Sequence, residues 1–183
     1  DWANATWIWE SVLQSRPNVV AIRTNAARGR SSMGQPQAAL AHLEQARRIQ
    51  PQAPAVRSLE VVLLARNGED AKALAAAKDA LANGIHDYDL LNAAFILAWR
   101  AGDIPLALRT LQQRMREFPQ TQAGGQVQLG LLYLNELKDP AKALDAFRAG
   151  VALAATPAER AALLQQLPQP YREQLSQMSS SSR

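Results

Sequence analysis

The sequence predicts an all-α chain of antiparallel helix pairs, and three observations carry that prediction. Glycines recur at Gly34, Gly68 and Gly102, 34 residues apart twice over. Each opens a similar phrase: Gly34-Gln-Pro-Gln-Ala-Ala-Leu40, Gly68-Glu-Asp-Ala-Lys-Ala-Leu74 and Gly102-Asp-Ile-Pro-Leu-Ala-Leu108. A fourth copy, Lys138-Asp-Pro-Ala-Lys-Ala-Leu144, follows without its glycine. Glycine accepts the left-handed conformation that ends a helix, and Asp or Pro just after it starts the next. Each phrase therefore marks the turn of a helical hairpin, and a small alanine lets its two helices approach closely.

The elements follow in chain order. Residues 1–19 read as half a unit, with Ala5, Trp9 and Val12 on one stripe and Pro17 as the stop. Unit 20–53 carries Ala39, Leu43 and Ala46 at helical spacing in its second helix, stopped by Pro51. Unit 54–87 repeats this with Ala73, Ala77 and Ala80, and Ile85 stands where the proline would be. Unit 88–121 has Ala107 and Leu111, then Pro119, and unit 124–157 has Ala143, Phe147 and Gly150. Spacing of i, i+4 and i+7 puts one apolar stripe against the neighbouring helices. Residues 158–178 read as capping helices, interrupted at Pro168 and Pro170, whose polar content suits the end of a stack. The tail 179–183, Ser-rich, is predicted to be disordered.

Composition agrees. Apolar residues make up 48% and charged residues 20% of the 183, which is globular and not disordered. The net charge of +4 comes mostly from arginine, which outnumbers lysine 16 to 4. These charges are spread along the chain, with Arg47-Arg48 the only adjacent pair, so nucleic acid is not an expected partner. The absence of cysteine excludes disulfides, thiolate metal sites and cysteine nucleophiles. No apolar run approaches the length of a membrane span, and there is no signal peptide. The start at Asp1 without methionine reads as a mature or excised segment of a longer protein.

No constellation of catalytic residues is visible, so no enzyme activity and no cofactor are expected. His42 lies on a helix without a partner at metal-ligand spacing. His86, Asp87 and Asp89 cluster in a turn but need further ligands to hold a metal. Ser31 and Ser32 have no base nearby in sequence. Gly124-Gly125 lacks the Gly-Lys-Ser phrase of a phosphate loop.

The phrases, the 34-residue period and the closing prolines together resemble the tetratricopeptide repeat. Departures exist: the aromatic of the family's first helix is replaced by Arg23, Arg57, Leu91 and Val127, and two extra residues shift the last unit. The resemblance implies a right-handed superhelical solenoid of about four and a half repeats plus C-terminal capping helices. It also implies a concave groove, lined by the first helix of each pair, that binds a peptide or protein. Inward-facing positions by that resemblance include Ser58, Asp89, Leu132 and, as site residues, Thr24, Arg28, Arg66, Asn92, Ile96, Trp99, Arg100 and Asn135; Asn25, also a site residue, matches an asparagine that some family members use against peptide backbone. Arg28, Arg66 and Arg100 fall at near-equivalent positions and suggest a basic ladder for an acidic peptide. Trp99 is a candidate aromatic anchor. The Lys/Asn carboxylate clamp of heat-shock co-chaperones is absent, since Thr24, Arg28, Ser58 and Val62 hold its places.

Trp2, Trp7 and Trp9 crowd the start, and some of that apolar surface is expected to stay exposed. A Trp-rich helix before repeats also resembles the junction in bacterial membrane proteins of glycan assembly. The leading expectation is an interaction scaffold. The alternatives are a non-catalytic module attached to an upstream membrane or catalytic domain, such as a glycosyltransferase, or a homodimerising module. The compartment is open, with the periplasmic face of a membrane slightly favoured.

Overall fold

A computed structural model describes residues 2–180, with side chains over 5–177. Among the described residues there are eleven α-helices and no strand. They are α1 (Trp2–Ser15), α2 (Val20–Ser32), α3 (Pro36–Ile49), α4 (Pro54–Arg66), α5 (Asp70–Ala82), α6 (Tyr88–Arg100), α7 (Ile104–Glu117), α8 (Gln122–Asn135), α9 (Pro140–Ala152), α10 (Pro157–Gln166) and α11 (Gln169–Ser180). The chain divides into two compact units, Asp1–Asp103 and Ile104–Arg183, a boundary that the sequence does not announce. No described helix is long and apolar enough to cross a membrane.

The glycine turns close as their chemistry requires. Gly34, Gly68 and Gly102 adopt φ of 71°, 79° and 73°, which a side chain would resist. In each, the next amide donates back to the carbonyl five residues earlier: Gln35 to Arg30 at 2.9 Å, Glu69 to Leu64 at 3.0 Å and Asp103 to Ala98 at 2.9 Å. Gly84, at 77°, makes the same closure after α5, with Ile85 donating to Ala80 at 3.1 Å. That glycine does the stopping where Ile85 replaces a proline. The fourth turn lacks glycine, and Lys138 takes the left-handed conformation itself at 53°. Proline starts α3, α4, α9 and α10, where its missing amide costs nothing. Asp87 caps α6 by accepting from the Leu90 amide at 3.0 Å, so within the cluster of His86, Asp87 and Asp89 it is Asp87 that has a structural role.

In the first unit α2 pairs with α3 and α4 with α5, while α4 lies against both α2 and α6. The alanine stripes are fully buried: Ala39 and Ala46 with Leu43, Leu59 and Leu63, and Ala73, Ala77 and Ala80 with Leu90 and Leu97. α1 packs on α2, where Thr6 fills the space that Gly29 leaves open. Trp7 and Ile8, on its other side, are 70% and 51% exposed. The Trp2 side chain lies outside the described residues.

Glu10 ties three helices together. Its carboxylate accepts from Arg30 Nε at 2.6 Å and from a second Arg30 nitrogen, and it meets His42 Nε2 at 3.1 Å. His42 thus has a partner that sequence spacing does not show. The Arg30 hydrogen bonds, with a smaller contribution from His42, hold the Glu10 carboxyl below its ordinary value of 4.5. The unfolded chain therefore takes up this proton first as pH falls. Glu10's contribution is complete above about pH 4.5 and is lost as pH falls through the lower folded value. Glu10→Gln is expected to cost roughly 1.5–3 kcal/mol at pH 7, the range for hydrogen bonds to charged groups. It should also flatten the acid limb of stability. Urea midpoints at pH 7 and pH 3 check this, and equal pH slopes in both proteins would reject it.

In the second unit α8 and α9 pair closely, with α10 and α11 beyond them. Phe147, Val127 and Ala143 are fully buried, joined by Leu163 of α10, Leu175 of α11 and Leu167, which caps the end of α10. Tyr171 of α11 meets Phe147 edge-on at 5.1 Å between ring centroids. α8 begins at Gln122, not at residue 124. A short 3-10 turn over Pro119–Thr121 takes up the extra residues, and Gly124-Gly125 is drawn into the helix. Within the helix Gly125 lies against Met115, which a side chain there would have to displace. At the other end α11 runs to Ser180, past the start of the predicted disorder, and 181–183 lie outside the described residues.

Candidate functional groove

The free edges of α2, α4 and α6 make a continuous face in the first unit. Helical spacing sets which residues share it: Arg28 and Ser31 on α2, Val62 and Arg66 on α4, and Asp89, Asn92, Ile96 and Arg100 on α6. Two recesses open there. The first, about 220 Å³, has Leu59 and Val62 in its lining with Arg28, Ser31, Ser32, Arg66 and Asp89 around them. The second, about 390 Å³, is lined by Ala65, Asn92, Ala93, Ile96, Leu97 and Arg100. Val62, Arg66 and Asp89 border both, so the recesses form one groove.

The three arginines differ in their surroundings. Arg28 pairs with Asp89 at 3.3 Å, and Arg100 with Asp70 at 3.4 Å. Arg66 donates to the Ser31 hydroxyl at 2.7 Å and pairs with no carboxylate among the described residues. The lining of the two recesses holds Arg28, Arg66 and Arg100 against Asp89, three positive charges to one negative. The ladder of equal arginines that the sequence suggests is thus a graded set, with Arg66 the available member.

The structure brings Arg28, Arg66, Asn92, Ile96 and Arg100 together. Thr24 is 1% exposed and its hydroxyl donates to the Ala21 carbonyl at 3.0 Å, which places it in the packing and not on the groove. Asn25 is half-buried and borders neither recess. Trp99 is half-buried beside Phe95, with ring centroids 5.5 Å apart, and lines neither recess. Asn135 is exposed on α8 in the second unit. Two further positions that the resemblance turns inward are buried: Ser58, whose hydroxyl donates to Asp87, and Leu132. The pairing of Asp89 with Arg28 joins the third full unit to the first and leaves no local signal in the sequence. Among the described residues no group of three or more His, Cys, Asp or Glu side chains could hold a metal ion.

Helix pairs of 34-residue period, closed by glycine turns and leaving their first helices free along one face, define a helical-repeat protein with the tetratricopeptide fold. Solved structures bear this out. The chain is similar to PilW, a type IV pilus biogenesis factor, with a TM-score of 0.71 at 18% identity over 98% of this chain and 86% of that one. It is similar to MamA, with a TM-score of 0.67 at 16% identity over 83% of this chain and 88% of that one. It also resembles YrrB, described as a TPR protein with an unusual peptide-binding site, with a TM-score of 0.61 at 18% identity over 86% and 89% of the two chains. No protein-family model matches the sequence, and no curated protein matches it.

Proposed function

We propose that this chain is an interaction scaffold that holds an acidic peptide segment of another protein along the face of α2, α4 and α6. One observation carries the proposal: Arg66 stands between the two recesses, engaged among the described residues only by the Ser31 hydroxyl, with Val62 and Ile96 beside it. A guanidinium next to apolar surface binds a carboxylate well, because the fork matches its two oxygens and the apolar neighbours weaken competition from water. Ile96, 36% exposed, supplies apolar area for an adjacent ligand side chain. The fold supports the same reading, since YrrB is described by a peptide-binding site.

Arg66→Glu is expected to weaken binding of the native partner by tenfold or more, as reversal of a close charge pair does. Arg148→Glu, an exposed position in the second unit, serves as the control and should leave binding unchanged. The measurement is quantitative co-purification from the native cell, with helicity checked by circular dichroism. Equal recovery with both variants would refute the groove as the site.

A further inference from the structure

The Arg28–Asp89 ion pair lies across the groove. Arg28 belongs to α2 and Asp89 to α6, and α4 lies between them, in contact with each. Both residues border the first recess, whose lining from α4 is Leu59, Val62 and Arg66. The pair therefore bridges the first and third repeats over the surface of the second. Its side chains are 31% and 46% exposed, so it is held without being sealed from water. An exposed pair of this kind is weak enough to be broken by a competing carboxylate.

We propose that Asp89 is a built-in stand-in for the ligand: its carboxylate occupies Arg28 until an acidic side chain of the bound peptide displaces it. This rests on the acidic-peptide reading of the groove. It makes Asp89 a specificity-determining residue, because a neutral or basic segment cannot release the strap. Two consequences follow. Binding of an acidic peptide involves Arg28 as well as Arg66, and the strap narrows the range of α2–α6 spacings that packing on α4 allows while the groove is empty. Displacement widens that range.

Two measurements test the proposal on the full chain. The first needs no ligand. The protein has no cysteine, so spin labels can be placed at Ser32→Cys on α2 and Tyr88→Cys on α6. The distance distribution between them should broaden in Asp89→Asn, and an unchanged distribution overturns the strap. The second uses a short fluorescein-labelled Glu/Leu peptide and its Lys/Leu counterpart. Asp89→Asn is expected to bind the Glu/Leu peptide about fivefold more tightly at low salt, the scale of an exposed ion pair converted to affinity. In an Arg28→Gln background most of that gain should vanish, because no strap remains to be released. An equal gain in both backgrounds would mean simple removal of negative charge and overturns the strap. If the labels respond to Asp89→Asn but no variant binds the Glu/Leu peptide, the acidic-ligand reading fails while the bridge itself stands.

Discussion

Phe147→Ala is expected to lower the unfolding free energy by about 3–5 kcal/mol, the usual cost of deleting a buried ring. Phe147 has no exposed surface, and its ring is the meeting point of three helices. It lies against α8 where Gly130 leaves room: a Cβ there would come within 2.4 Å of the ring. On the far side it takes the edge of Tyr171 from α11. Alanine would leave a cavity walled on one side by the α8 backbone at Gly130, which cannot rotate into it. The loss is a large part of the roughly 5–15 kcal/mol that holds a domain folded. Urea unfolding followed by amide hydrogen exchange in α8 and α9 reports the change in this unit. A cost below about 1 kcal/mol, the scale of a tolerant surface site, would mean that the ring is not central to the packing.

Gly150→Ala tests the close approach of α8 and α9 by its sign. Helix propensity alone predicts a gain of about 1 kcal/mol, since glycine is a poor residue in a helix interior. The contact predicts the opposite. An added Cβ would sit 2.8 Å from the Ala123 carbonyl oxygen, 3.1 Å from Val127 Cγ2 and 3.2 Å from Gln126 Cβ. The first of these is backbone and cannot rotate away, so the two helices must separate. A net loss of about 1–3 kcal/mol is expected, as for other overpacked cores. Gly124→Ala is the companion measurement, because a Cβ there meets nothing within 4 Å. It should show the gain of up to about 1 kcal/mol that propensity promises. Stabilisation by both changes would remove the close-approach argument at Gly150.

The legible and illegible parts of this protein divide by range. Turn chemistry is local, so Gly34, Gly68 and Gly102 locate three hairpins from sequence, and the stripes through Ala39, Ala73 and Phe147 mark buried faces. Gly84 belongs to the same chemistry but hides outside the 34-residue period, in a place where the repeat uses proline. The start of α8 was displaced because Gly124-Gly125 looks like a linker, whereas Met115, ten residues back, needs a glycine beside it. The groove is legible in outline only. Spacing along one helix puts Asp89, Asn92, Ile96 and Arg100 on a face, but it is silent on partners from another helix. Asp89 reaches Arg28, Glu10 reaches His42 and Asp87 reaches Ser58, each across tens of residues. These contacts decide which charges are free for a ligand, and one sequence does not encode them in any local pattern. Thr24 shows the same limit: its position matches a groove residue, yet its side chain turns to its own backbone.

Lys138 has a consequence for how such a chain varies. Its left-handed backbone costs about 1–2 kcal/mol that glycine would not incur. The strain falls in the turn between α8 and α9, the pair drawn together by Gly130, Gly150 and Phe147. Selection removes substitutions only when they carry a protein below the stability that its function needs. The fourth repeat thus carries a turn cost that glycine spares the other three, and Lys138→Gly is the change that would remove it.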